Sequence, residues 1–156
     1  MVKSGFLADT VISTALLDMY ANCGDFRLAK EVFEEMHTKD LITWNCLVSC
    51  FAQYGLIKDA FQLSVDMQNS GLKPSGSSLA GILPAVARSG SLHLSKSGHC
   101  FILRNGMDSD EFVLTALMDA YAKSGELSIA HKIFYVMPKK SVVAWSAIIA
   151  GYGTHG

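Results

Sequence analysis

An all-α fold, a right-handed superhelical solenoid of helix-turn-helix repeats, is predicted by three features of this 156-residue sequence. The chain repeats itself at an offset of 101 residues, smaller periods of 31 and 35 residues divide it further, and each period holds two apolar runs at helical spacing. Thr14-Ala15-Leu16-Leu17-Asp18-Met19-Tyr20-Ala21 aligns with Thr115-Ala116-Leu117-Met118-Asp119-Ala120-Tyr121-Ala122. In the same register Gly24, Ala29, Phe33, Met36 and Trp44 return as Gly125, Ala130, Phe134, Met137 and Trp145, and upstream Gly5 and Asp9 return as Gly106 and Asp110. Ala29 and Met36 also recur 31 residues on as Ala60 and Met67, and Gly71 and Gly106 stand 35 apart. The unit starts are therefore Asp9, Asp40, Ser75, Asp110 and Ser141.

In the first full unit, Val11, Ala15, Leu16, Met19 and Tyr20 form the apolar run of a helix A, and Phe26, Ala29, Val32, Phe33 and Met36 that of a helix B. Between them, Asn22-Cys23-Gly24-Asp25 supplies a glycine to end helix A in the left-handed region and an aspartate to cap helix B. The same punctuation follows at Tyr54-Gly55, Ser89-Gly90-Ser91 and Ser124-Gly125-Glu126. Length varies in one place: the longer units add a loop such as Asn69-Ser70-Gly71-Leu72-Lys73-Pro74, whereas the shorter turn directly through Met36-His37-Thr38-Lys39-Asp40. A last helix A is expected over 142–153. Met and aromatic residues at these spacings are expected in the core. Such hairpins cannot bury both faces alone, so they must stack, with helix A on the concave wall.

Composition agrees with a packed chain: half of it is apolar, 17% is charged and only three residues are proline, which excludes a disordered tail. With 13 Lys and Arg against 14 Asp and Glu there is no basic excess to neutralise phosphates wholesale, although a local basic groove stays open. Cys23, Cys46, Cys50 and Cys100 form no C-x-x-C pair and read as free thiols, so neither a metal site nor a cofactor is expected. No basic leader with a long apolar stretch opens the chain. The uncharged runs 41–57 and 142–156 fall short of the ~20 apolar residues of a membrane span, so no membrane partner is expected.

Units of 31 and 35 residues carrying Ala-Leu-x-Asp-x-Tyr-Ala-x-x-Gly in helix A and Ala-x-x-x-Phe-x-x-Met in helix B resemble the pentatricopeptide repeat family. The order of unit lengths is similar to the plant class that mixes P-, L- and S-type repeats. On that resemblance residues 1–8 end a truncated L unit, 9–39 are S-type, 40–74 P-type, 75–109 L-type, 110–140 S-type, and 141–156 begin a truncated P unit. The resemblance implies sequence-selective binding of single-stranded organellar RNA, one base per repeat, in support of RNA modification such as C-to-U editing in mitochondria or chloroplasts. Near-zero charge does not oppose this, because polar side chains on a helical wall can read the edge of a splayed base while apolar neighbours flank its face.

The family's two selecting positions fall here on Thr14 with Asp40, Asn45 with Ser75, Ala80 with Asp110 and Thr115 with Ser141, and Ser146 starts a fifth pair. Under the family's code these imply G, C, little preference and A in turn. Base-flanking residues are Val11, Ile42, Phe112 and Val143, for which packing between helices is the alternative. Taken singly, each polar residue is as readily a cap at a helix start. Its recurrence just after Ser13, Trp44, Leu114 and Trp145 favours the binding role.

Ser64 departs from the pattern in the P unit, which loses a core aromatic, and Ser77, Pro84 and Gly98 mark the L unit as the weakest reader, with a kink expected at Pro84. The H-x-E and C-x-x-C signature of a zinc deaminase is missing and the five histidines are scattered, so the chain is expected to have no catalysis of its own, with any deaminase or editing factor acting in trans. The alternatives are a protein-binding scaffold of tetratricopeptide type and a non-autonomous fragment of a longer repeat protein. Uncapped repeat ends predict self-association or marginal stability.

Overall fold

The computed structural model describes residues 10–155, among which there are nine α-helices and no strand. The unit end expected over 1–8, with Gly5 and Asp9, lies outside the described residues. The helices are α1 (Thr10–Asn22), α2 (Phe26–Glu35), α3 (Leu41–Gln53), α4 (Ile57–Asn69), α5 (Gly76–Ser89), α6 (Leu92–Arg104), α7 (Glu111–Lys123), α8 (Leu127–Val136) and α9 (Val142–His155). The chain divides into two compact units, the first ending at Ile82 and the second starting at Leu83, so the division falls inside α5.

In the first unit α1 and α2 form one hairpin, α3 and α4 a second, and α3 packs on both α1 and α2. The turn between α1 and α2 follows from Gly24, whose φ of 78° is open to glycine at little cost. With the chain so reversed, the N–H groups of Gly24 and Asp25 satisfy the carbonyls of Ala21 and Tyr20 at 3.0 Å, and the Asp25 carboxylate accepts from Leu28 N–H at 3.1 Å. The loopless turn into α3 is held by Lys39, whose ammonium donates to the Met36 carbonyl at 2.9 Å and lies 5.2 Å from the centre of the Phe33 ring. Leu17, Val32, Leu47, Val48 and Met67 are fully buried beneath these hairpins. Each such side chain contributes about 1.5–3 kcal/mol by leaving water.

The apolar run assigned to α1 needs correction. Its buried residues are Ser13, Leu17 and Ala21, whereas Val11, Ala15 and Met19 are exposed and Leu16 and Tyr20 only half-buried. The helix is apolar on more than one side, so periodicity could not choose the face; packing on α2 and α3 chose it. Of the run expected for α2, Ala29, Val32 and Phe33 are buried, as is Met36 at its C-terminal cap, and Phe26 is half-buried.

In the second unit α7 and α8 form the matching hairpin, α9 packs on both, and α6 packs on α7. Gly125 repeats the turn of Gly24, with φ 88°, but Glu126 makes no side-chain cap where Asp25 does. Lys140 repeats Lys39, donating to the Met137 carbonyl at 3.2 Å and lying 5.5 Å from the Phe134 ring centre. Helix α5 runs on through Pro84 to Ser89, and Gly98 is buried within α6. Ser64, which replaces the aromatic of the other B helices, is fully buried and donates to the Ala60 carbonyl at 3.0 Å. The cysteines are free thiols.

Candidate functional site

Successive A helices leave a groove between their N-terminal halves, once in each unit. In the first unit α1 and α3 enclose about 550 Å3, lined by Thr10, Val11, Thr14, Ala15, Asp18, Asp40, Ile42 and Cys46. In the second, α7 and α9 enclose about 740 Å3, lined by Pro84, Glu111, Phe112, Thr115, Ala116, Asp119, Ser141, Val143, Ser146 and Ala147. At the repeat offset all eight residues of the first set fall on residues of the second, which adds Pro84 and Ser146, so largely the same positions build both grooves. The sequence reasoning missed Asp18, Asp119, Cys46 and Glu111 as lining residues. The signal was available for the first two, which align with each other as the one carboxylate in the middle of each helix.

The structure brings Thr14 together with Asp40, and Thr115 with Ser141 and Ser146. Beside them stand Val11, Ile42, Phe112 and Val143, each more than half exposed, from 78% at Val11 to 55% at Phe112. Exposed apolar side chains lining a groove are the feature to explain. Asn45, Ser75, Ala80 and Asp110 line neither groove. The Asn45 amide oxygen is enclosed without a hydrogen-bond partner, and the Ser75 N–H donates to Ser78 Oγ at 3.1 Å.

Three of the four second members, Asp40, Asp110 and Ser141, are also helix caps. Asp40 Oδ1 accepts from the N–H and the hydroxyl of Thr43, at 2.8 and 2.7 Å, and these bonds hold its carboxyl below the ordinary carboxylate pKa. Asp110 accepts from Val113 N–H at 3.1 Å, and Ser141 Oγ from Ala144 N–H at 3.2 Å. Capping and lining coexist because a cap residue sits where one helix enters the wall. Of the first members, Thr14 donates to the Thr10 carbonyl at 2.7 Å and Thr115 to that of Glu111 at 2.8 Å.

In the first groove the Cys46 thiol lies 3.7 Å from Asp18 Oδ1, and burial together with that carboxylate pushes it up to about 11. Cys50 is pushed up to about 11 for the same reasons. These thiols stay protonated at neutral pH and are poor nucleophiles and poor metal ligands. Asp119 is paired with Lys123 at 2.8 Å. Among the described residues no group of three His, Cys, Asp or Glu is placed to hold a metal ion, and no helix is long and apolar enough to cross a membrane.

Fold and site together define an array of helical hairpins whose A helices present repeated, partly polar grooves. The model for pentatricopeptide repeat-containing proteins matches residues 10–91, and that for the single pentatricopeptide repeat matches 112–142. The chain belongs to the pentatricopeptide repeat family. Its relatives include an Arabidopsis thaliana pentatricopeptide repeat-containing protein 39% identical over 150 residues, covering 96% of this chain and 23% of the relative. Another from Arabidopsis thaliana, named chloroplastic/mitochondrial, is 35% identical over 159 residues, covering 100% of this chain and 25% of itself. The chain thus spans about a quarter of the length of the curated relatives it matches. Among solved structures, a pentatricopeptide repeat protein from maize aligns with TM-score 0.71 at 15% identity, over 92% of this chain and 21% of that one. This likeness shows the fold, the all-α repeat array expected from the sequence.

Proposed function

We propose that this chain is the sequence-reading part of an organellar single-stranded RNA-binding array that serves RNA modification, C-to-U editing foremost, and carries no chemistry of its own. The observation that carries the reading is the double groove. Twice, at one offset, a polar pair lines one groove together with two exposed apolar side chains: Thr14 and Asp40 with Val11 and Ile42, then Thr115 and Ser141 with Phe112 and Val143. A flat base with a hydrogen-bonding edge is the ligand such a groove fits. The names of relatives such as the chloroplastic/mitochondrial one support an organellar setting. We further read the array as one base per repeat in a mixed S, P, L, S order, with any deaminase acting in trans. Trp145, Ile149 and Tyr152, exposed along one side of α9, support self-association, which sedimentation at rising concentration tests.

The test is fluorescence anisotropy on RNA carrying G-C-N-A in a uridine background, beside a version scrambled at those bases, at near-physiological salt so that phosphate attraction alone does not decide the result. Preference for the designed RNA supports base reading; equal or absent binding by folded protein overturns it. One observation favours a second reading, a protein-binding scaffold: the grooves are lined by Asp18, Asp40, Glu111 and Asp119 and by no Lys or Arg. An apolar, acidic groove also suits a basic amphipathic helix. Displacement of RNA by such a peptide, with tighter binding of the peptide, would select that reading.

A further inference from the structure

Thr43, which the repeat register does not mark as a reader, ties the two polar residues of the first groove together. It is fully buried. Its hydroxyl lies 2.7 Å from Asp40 Oδ1 and 3.1 Å from Thr14 Oγ1, and Thr14 Oγ1 lies 2.7 Å from the Thr10 carbonyl. Three short oxygen contacts therefore share the two hydroxyl protons of Thr14 and Thr43. The carboxylate takes the Thr43 proton, since a hydrogen bond to an ionised acceptor is the stronger. The Thr14 proton then points inward, to the Thr10 carbonyl or to Thr43 Oγ1. In both arrangements Thr14 turns a lone pair to the groove, and Asp40, once ionised, can only accept.

Resting on the RNA reading above, we infer that Thr43 is a positioning residue that sets the first groove's hydrogen-bonding polarity, two adjacent acceptors, and so its preference for a base edge with two adjacent donors. The Watson–Crick edge of guanine has these, in N1–H and the N2 amino group. Adenine and cytosine place an acceptor beside a single amino donor, and uracil has one N–H between two carbonyls.

The second groove lacks the device. Ala144 stands where Thr43 would be, Thr115 bonds only the Glu111 carbonyl among the described contacts, and Ser141 accepts from Ala144 N–H while keeping its own proton to donate. That groove offers an acceptor beside a donor, which suits an edge that alternates in the same way.

The test measures affinity for RNAs that differ only in the base facing the first groove. Wild-type protein is expected to favour guanosine over adenosine by roughly tenfold, the scale of one good two-point contact. Thr43→Val, which keeps the branched shape and removes the hydroxyl, brings the ratio towards one and leaves affinity for RNA altered elsewhere unchanged. Thr43→Ser restores it. Thr43→Ala, the residue the second unit carries at this place, serves if valine unfolds the chain. The reciprocal change, Ser141→Asp with Ala144→Thr, is expected to move the second groove towards guanosine. If wild type binds RNA without base preference, or binds none, the RNA reading falls and this inference with it. If wild type prefers guanosine and folded Thr43→Val and Thr43→Ala prefer it equally, the inference alone falls.

Discussion

The two hairpins that begin at α1 and α7 share a backbone plan and differ in what their grooves do with protons. In the first, Thr14, Thr43 and Asp40 form one hydrogen-bonded chain that ends on a carboxylate; in the second, Thr115 and Ser141 make separate bonds to backbone. The repeated fold fixes where the side chains stand, through glycine turns, lysine-capped helix ends and a shared set of buried residues. Within that frame the two grooves differ in residue at two polar positions, Asp40 against Ser141 and Thr43 against Ala144, and in the hydrogen bonds those residues make. The repeat thus holds positions constant, and what differs between the two hairpins is the hydrogen bonding of the side chains placed there.

The comparison can be strained most at the tryptophans. Trp44 and Trp145 occupy the same place and meet Phe33 and Phe134 edge-on at 4.6 and 4.7 Å, but Trp44 is 6% exposed and Trp145 50%. Trp44→Ala is expected to cost about 3–5 kcal/mol in urea unfolding, and Trp145→Ala under half as much. In single-tryptophan variants Trp145 emits further to the red and is quenched more readily by acrylamide. Equal costs and equal quenching would mean that α9 is covered as α3 is.

A smaller effect separates the caps. Asp40→Ala is expected to cost about 1 kcal/mol, and Ser141→Ala less, because only Asp40 brings a charge to the helix start. The folded Asp40 carboxyl has a lowered pKa, so its contribution is complete above the unfolded value near 4 and is lost as pH falls through the folded one. Urea midpoints between pH 7 and pH 2 should therefore fall more in wild type than in Asp40→Asn, whereas Ser141→Ala should leave the pH profile as it is.

The second unit has a titration of its own, around a milder pH. His99 Nδ1 and the Tyr121 hydroxyl are 3.0 Å apart, and burial lowers the His99 pKa while raising that of Tyr121. The unfolded chain takes up the proton first, so stability should decline as pH falls below about 6.5, and His99→Gln should flatten that decline. Smallest of all, Lys123→Met removes the exposed pair with Asp119 at the second groove and should change stability by no more than about 0.5 kcal/mol.

Much of this molecule was legible before its structure. Self-similarity gave the hairpins, because each unit must present the same turn and the same buried set to stack on its neighbour. Gly24 and Gly125 could be read as left-handed helix ends, since few other residues accept that conformation. The groove residues of the first and last pairs could be read from register as well. The buried face of α1 could not, nor could the enclosure of the Asn45 amide oxygen, because both depend on which neighbouring helix arrives and at what angle.

By itself the sequence determined the repeat, its turns, its caps and the positions from which side chains enter a groove, all of which follow from local backbone preference and period. Only the tertiary structure decided how those side chains spend their protons. Thr14 and Thr43 lie 29 residues apart on different helices, and a contact of 3.1 Å between them exists only once α1 and α3 have packed. Hydrogen bonding is short-ranged and directional, so the polarity of the groove is a property of that packing.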